Sequence, residues 1–313
     1  MEYLILIISL IGIVFGADWL VGGSAHIARR FKVSDFVIGA AIVGVGTSAP
    51  ELMVSLMGAI QENSDVAIGN VVGSNIFNVL GILGLTAIFF PIGISKANMK
   101  FDIPFCIFTS VLLMLMAFNF FNGSVTNIGR VDGLILIGIF AWYMWYSFKG
   151  NRPSEENTPP QEVQGQVKPI WLSALMVVGG LAVLITSCDF FVDNAIIIAR
   201  SWNMSEAAIS ITLIACGTSL PELAASITAA LKKNTDMALG NIIGSNIFNI
   251  TLILGVSSQV CPLSSPGITI VDYCVMIAAV VMTLILGLDG KINRWEGCLM
   301  FAAFILYSIY LLG

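Results

Sequence analysis

Charge is scarce in this sequence. Its 313 residues include 14 Lys plus Arg and 19 Asp plus Glu, only 11% of the chain. A soluble domain carries about 25% charged residues, so there is too little charge here to cover an aqueous surface. The balance of −5 is weak and of the wrong sign for a nucleic-acid binder. Histidine occurs once, and the six cysteines are scattered with no CxxC pair, which argues against a zinc or iron–sulfur site. Cys188 and Cys216 fall inside apolar runs, where reduced, packed thiols are expected. What the chain has in abundance is apolar residues, 57% of it. They gather into blocks of about 20, the length that crosses roughly 30 Å of hydrocarbon at about 1.5 Å per residue. The composition predicts an all-α polytopic membrane protein.

Hydropathy places ten spans at approximately 3–25, 36–60, 66–90, 101–121, 128–148, 170–195, 206–231, 237–261, 267–288 and 293–312. The first block has almost no positive n-region and no small-residue cleavage signal, so it reads as a retained span. One long polar stretch, Lys149 to Pro169, holds four prolines, three glutamates and three glutamines, a linker composition. The expected organisation is a first half at 1–148, a cytoplasmic linker at 149–169 and a second half at 170–313, with five spans in each half. Lys and Arg set the orientation. With the N-terminus outside, twelve of them fall in cytoplasmic loops and only Arg130 and Arg200 outside. Both termini are then external.

The two halves are copies. Gly46-Thr47-Ser48-Ala49-Pro50-Glu51 recurs 171 residues later as Gly217-Thr218-Ser219-Leu220-Pro221-Glu222. The same offset carries Gly69-Asn70-Val71-Val72-Gly73-Ser74-Asn75-Ile76-Phe77-Asn78 onto Gly240-Asn241-Ile242-Ile243-Gly244-Ser245-Asn246-Ile247-Phe248-Asn249, and Asp18 onto Asp189. A half with an odd number of spans leaves the chain on the opposite side of the membrane, so its copy enters upside down. The expected fold is two inverted five-helix repeats, the architecture of alternating-access transporters, with paired motifs facing each other near the midplane.

Glu51 and Glu222 lie within spans, and an ionisable group at bilayer depth marks a functional site by default. Two converging carboxylates repel, so their site should hold a proton, a cation or both. Pro50 and Pro221 each remove an N–H and disturb the carbonyl four residues back, beside Thr47-Ser48 and Thr218-Ser219. Such a break is tolerated at depth only inside protein or along a cavity. Asn70, Ser74 and Asn78 stand at i, i+4 and i+8, one face of a helix, and Asn241, Ser245 and Asn249 repeat the stripe. Interhelical hydrogen bonding is the plainer role for these, above all for Asn70 and Asn241. All of the groups offer oxygen, the chemistry that hard cations such as Ca²⁺ and Na⁺ take. Asp18 and Asp189 are expected at interfaces or helix caps, or else in a cation-attracting vestibule.

At these motifs the sequence resembles the cation/Ca²⁺ exchanger superfamily, the sodium/calcium exchangers and their prokaryotic relatives. The likeness runs the whole length: ten spans, both repeats and a short linker in place of a regulatory domain. It implies that Glu51 and Glu222 correspond to the central acidic ligands shared by Ca²⁺ and Na⁺. Thr47, Ser48, Ser74, Thr218, Ser219 and Ser245 would match the flanking oxygen ligands, with the backbone near Gly44 and Ala215 assisting and Asn78 in the middle of the site. Many relatives carry an aspartate where this chain has Asn249, so two formal carboxylates remain and K⁺ cotransport is less expected.

The activity so implied is antiport in a prokaryotic inner or plasma membrane, with entering Na⁺ driving Ca²⁺ out. The partners are these cations and the lipid bilayer, with no cofactor, no enzymatic step and no obligatory protein partner. Spans one and six would slide against the rest as the gate. A H⁺/Ca²⁺ exchanger is the main alternative, since both glutamates are protonatable. A cation channel would need a ring of identical loops. A hydrolase using Ser48 or Ser219 needs a base, and His26 has no copy in the second half.

Overall fold

The computed structural model describes residues 2–118, 128–149, 169–201, 217–264 and 267–312. The apolar blocks form helices, the conformation in which a spanning segment satisfies its own backbone without water. Along the chain these are α1 (Glu2–Phe31), α2 (Asp35–Thr47), α3 (Ala49–Ile60), α4 (Ser64–Phe89), α5 (Asn98–Phe118), α6 (Arg130–Lys149), α7 (Ile170–Ser201), α8 (Leu220–Leu231), α9 (Thr235–Val260), α10 (Ile270–Asp289) and α11 (Arg294–Leu312). Seven are long and apolar enough to cross a membrane, and α2 with α3 makes an eighth span bent by 49°. Each of the ten expected spans carries one of these helices or, for 36–60, the bent pair. The beginning of the seventh lies outside the described residues.

Local chemistry sets the helix ends, and it repeats. The Asn63 side chain caps α4 by accepting from Val66 N at 3.4 Å, and Asn234 caps α9 by accepting from Met237 N at 3.1 Å. The residues just before these caps, Glu62 and Lys233, both turn the chain at φ 58°. At the bend, Ser48 and Ser219 leave the helical path with ψ of 11° and 8°, and Pro50 and Pro221 fall in the first turn of the next helix. Proline is at home there because its missing N–H has no intrahelical partner to lose.

Helices α4 and α9 are the most buried and cross at the centre of the molecule. Around them pack α5, α6, α10 and α11, tied within each half by matching bonds: Tyr143 Oη donates to Asp102 Oδ1 at 3.2 Å, and Tyr307 Oη donates to Asp272 Oδ1 at 2.7 Å. Short backbone pairings also cross between halves. β1 (Ile92–Gly93) pairs antiparallel with β2 (Lys291–Ile292), and Ile128 bridges Leu263.

Helices α1 and α7 form a separate pair along one side, packed on each other over their length. Their backbones touch at glycines: a Cβ on Gly16 would stand 2.6 Å from Leu184 N, and one on Gly180 2.6 Å from Leu20 N. A second apolar cluster joins this pair to the core through Ile13, Ala17 and Leu20 of α1, Leu184 of α7, and Ala225 and Ala229 of α8. Ile7, Ile11 and Val14 on α1, Val178 on α7, and Leu306 and Ile309 on α11 face outward. That much exposed apolar surface suits lipid rather than water.

Asp18 stands mid-helix on α1 rather than at a cap. Its Oδ1 pairs with Lys232 Nζ at 2.8 Å, just past the end of α8.

Candidate cation site

The bent α2–α3 pair and the start of α8 meet at the centre of the fold. Glu51 and Glu222 sit in the first turns of α3 and α8 and are 0% exposed. Each is held by a serine from the other half. Ser219 Oγ donates to Glu51 Oε1 at 2.9 Å, and Ser48 Oγ donates to Glu222 Oε1 at 2.8 Å. With the 171-residue offset these two bonds are copies of each other, the reciprocity expected across a two-fold axis. Neither carboxylate is paired with Lys, Arg or His among the described residues.

The first asparagine of each stripe serves the backbone of its glutamate. Asn70 Nδ2 donates to Glu51 O at 3.1 Å and to Ser55 Oγ at 3.0 Å. Asn241 Nδ2 donates to Glu222 O at 3.1 Å and to Ser226 Oγ at 2.8 Å. This is the interhelical role expected of Asn70 and Asn241. Thr47 Oγ1 donates to Asn241 Oδ1 at 3.3 Å, and Ser245 Oγ donates to Gly44 O at 3.2 Å. Thr47, Gly44 and Ser245 therefore lie where α2 packs on α9.

Further along α4 and α9 the regular helix gives way to π-helical turns at Phe77–Leu83 and Asn249–Ile253, and another lies within α2 at Gly39–Gly44. Such insertions are frequent at functional sites. They carry Asn78 and Asn249, both 0% exposed. The Asn249 turn packs against α3, which carries Glu51, and the Asn78 turn packs against α8, which carries Glu222.

Among the described residues, ten buried side-chain nitrogen or oxygen atoms have no hydrogen-bond partner. Six belong to residues singled out from the sequence: Glu51 Oε2, Ser74 Oγ, Asn78 Oδ1, Thr218 Oγ1, Glu222 Oε2 and Asn249 Oδ1. All six are oxygens. A buried unpaired polar atom in a native fold calls for an explanation such as a bound ion, and a set of oxygens with two negative charges matches the chemistry that a hard divalent cation takes.

Of the sequence-expected residues, Glu51, Glu222, Thr47, Ser48, Ser219, Ser245 and Gly44 are brought together directly by the bonds above. Asn78 and Asn249 join through the packing of their turns. Thr218 and Ser74 are adjacent in the chain to Ser219 and Asn75. Ala215 lies outside the described residues, as does Cys216. Two residues were missed by the stripe reading: Asn75 and Asn246, buried and bonded across the halves. The signal was present, since both belong to the duplicated motif, but they stand one position off the i, i+4, i+8 face.

His26 bonds through Nδ1 to Gly22 O of its own helix at 2.6 Å. It gives no base to either serine.

The sequence matches the family described as sodium/calcium exchanger protein over residues 1–149 and 172–313. The chain belongs to that family. CaxA of Alkalimonas amylolytica is 38% identical over 315 residues, spanning 98% of this chain and 97% of CaxA. The sodium/calcium exchanger MaX1 of Methanosarcina acetivorans is 31% identical, with 99% and 98% covered. Among solved structures, the sodium-calcium exchanger NCX_Mj soaked with zero Na⁺ and Ca²⁺ superposes with a TM-score of 0.84 at 32% identity, covering 99% of this chain and 98% of the other. A more distant relative, the Ca²⁺/H⁺ antiporter ChaA of Bacillus subtilis, is 22% identical over 280 residues, 84% of this chain and 79% of ChaA. Family and neighbours are transporters, and this member of the exchanger family is a multi-pass helical membrane protein.

Proposed function

We propose that this chain is a secondary antiporter that exchanges Na⁺ for Ca²⁺ by alternating access, electrogenically and without K⁺. The observation that carries this reading is the pair of buried glutamates, each with one oxygen bonded across the halves and the other unpartnered. Glu51 and Glu222 are the shared charged ligands of Ca²⁺ and Na⁺. Thr47, Ser48, Ser74, Thr218, Ser219, Ser245, Asn78 and Asn249 complete the oxygen shell, with the backbone of Gly44 and Ala215.

Two negative charges balance one Ca²⁺. The empty site carries its charge uncompensated, and moving it through the low-dielectric interior is costly. The occupied site escapes that cost, so exchange prevails over leak.

The architecture we propose is ten spans in two inverted repeats, 1–148 and 170–313, joined by the linker 149–169, with both termini external. The reciprocal bonds and cross-paired loops support it, because each contact recurs with the halves exchanged. Proton coupling is the second reading, favoured by two buried carboxylates with no cationic partner among the described residues and by the likeness to ChaA.

The test is ⁴⁵Ca²⁺ uptake into proteoliposomes loaded with Na⁺, against K⁺-loaded controls, for wild type and Glu51→Gln. Uptake that needs internal Na⁺ and is lost in the variant is expected. Uptake indifferent to Na⁺ but driven by a pH step would replace Na⁺ by H⁺, and uptake without any counter-ion would sink antiport altogether.

A further inference from the structure

Four asparagines bond in a chain where α4 crosses α9, and two of them have no part in the site as read from the sequence. Asn75 Nδ2 donates to Asn246 O at 3.2 Å, and Asn246 Nδ2 donates to Asn75 O at 3.1 Å. Asn249 Nδ2 donates to Asn75 Oδ1 at 3.1 Å, and Asn78 Nδ2 donates to Asn246 Oδ1 at 3.1 Å. Both Asn75 and Asn246 are 1% exposed.

An amide side chain has a donor end and an acceptor end, and either can be turned toward a neighbour. Here the choice is forced. A backbone carbonyl has no proton to give, so the atom of Asn75 facing Asn246 O must be its nitrogen. The oxygen of Asn75 then faces Asn249, which must answer with its own nitrogen. That leaves Asn249 Oδ1 turned the other way, buried and without a donor. The same three steps run from Asn75 O through Asn246 to Asn78 Oδ1, also buried and without a donor. Turning Asn249 or Asn78 over would set oxygen against oxygen and present an NH₂ group where the unpartnered oxygen stands.

We infer that Asn75 and Asn246 are positioning residues that fix the amide orientation of Asn249 and Asn78, so that each offers a cation its oxygen and never its NH₂. They touch no ion themselves. They transmit the polarity of a backbone carbonyl, through one amide, to a ligand atom. The inference rests on the reading of Asn78 and Asn249 as ligands of the transported cation.

Carboxylates supply the discriminating test: both ends of an aspartate are oxygen, so it needs no orienting, and the oxygen it sets against Asn75 Oδ1 can only make loss of Asn75 less costly in that background. Ca²⁺ binding would be titrated calorimetrically on the full chain in detergent without Na⁺, for wild type, Asn75→Leu, Asn249→Asp and the double variant, a cycle that isolates the coupling. Asn75→Leu alone should weaken Ca²⁺ binding about tenfold or more, the usual scale for losing a residue that orients a metal ligand. In the Asn249→Asp background the same change should cost less than about twofold. Equal losses in both backgrounds would make Asn75 a packing residue and overturn the inference, as would no loss in either. If Asn75→Leu does not fold, the mirror cycle of Asn246→Leu with Asn78→Asp reads the same coupling. Glu51→Gln is titrated alongside: if it binds Ca²⁺ as wild type does, the site reading itself fails. If it loses Ca²⁺ while the cycle shows no coupling, only the orienting role fails.

Discussion

Each glutamate in the site divides its work between two oxygens. Oε1 takes a serine hydroxyl from the opposite half, which fixes the carboxylate, while Oε2 has no hydrogen-bond partner among the described residues and in the proposed site meets the cation. A hydrogen bond to a charged group contributes about 1.5–3 kcal/mol, so the serines should be felt in affinity. Ser219→Ala frees Glu51 and Ser48→Ala frees Glu222, and each should weaken Ca²⁺ binding by roughly tenfold, a factor equivalent to about 1.4 kcal/mol. Because the two bonds are copies, the losses should agree within about threefold. Calorimetric titration of both variants checks this, and a loss confined to one serine would mean that the halves bind the cation unequally. The glutamates and serines were legible in the sequence because charge inside an apolar block stands out and the block occurs twice. Asn75 and Asn246 were not, because a stripe drawn on one helix cannot show a bond made to the other half.

At the scale of elements, breaks were easier to read than continuations. Proline and glycine signal the end of α2 and the starts of α3 and α8: the chain bends at Ser48, and Pro50 and Pro221 open the next helices instead of breaking one from within. The π-helical turns at Phe77–Leu83 and Asn249–Ile253 have no proline to mark them, and a glycine such as Gly81 inside a span does not by itself signal one. Tertiary packing selects them. Spans one and six were singled out as a pair from the sequence, and α1 does pack on α7, with the close contact shared between Gly16 and Gly180. If this pair moves as a unit in the proposed alternating access, its packing should govern transport more than binding. Gly16→Val puts a side chain against the backbone at Leu184, an overpacking worth about 1–3 kcal/mol. We expect ⁴⁵Ca²⁺ exchange to fall several-fold or more, while equilibrium Ca²⁺ affinity stays within about twofold because Gly16 has no partner in the site. Parallel losses of both would place Gly16 in the folding of the site and remove the case for a mobile pair.

In the proposed mechanism the charge of the two buried glutamates must be neutralised before it crosses the barrier. Two carboxylates with one Ca²⁺ make a neutral complex, and nothing cationic from the protein is paired with them among the described residues. If more than two Na⁺ return for each Ca²⁺, the sodium-loaded form carries net positive charge, and each net charge moved is worth about 2.3 kcal/mol per 100 mV. In Na⁺-loaded proteoliposomes, Na⁺ leaves as ⁴⁵Ca²⁺ enters, so net positive charge flows outward. A potential positive inside should then speed uptake, and one negative inside should slow it. Clamping the membrane potential with valinomycin and opposed K⁺ gradients checks this at constant Na⁺ and Ca²⁺. Uptake that ignores the potential would mean that two Na⁺ exchange for one Ca²⁺, with the glutamates balanced in both loaded forms. Dependence in the expected direction would instead require a third Na⁺ on neutral oxygens, for which Asn78, Asn249 and Ser74 hold the unpartnered atoms.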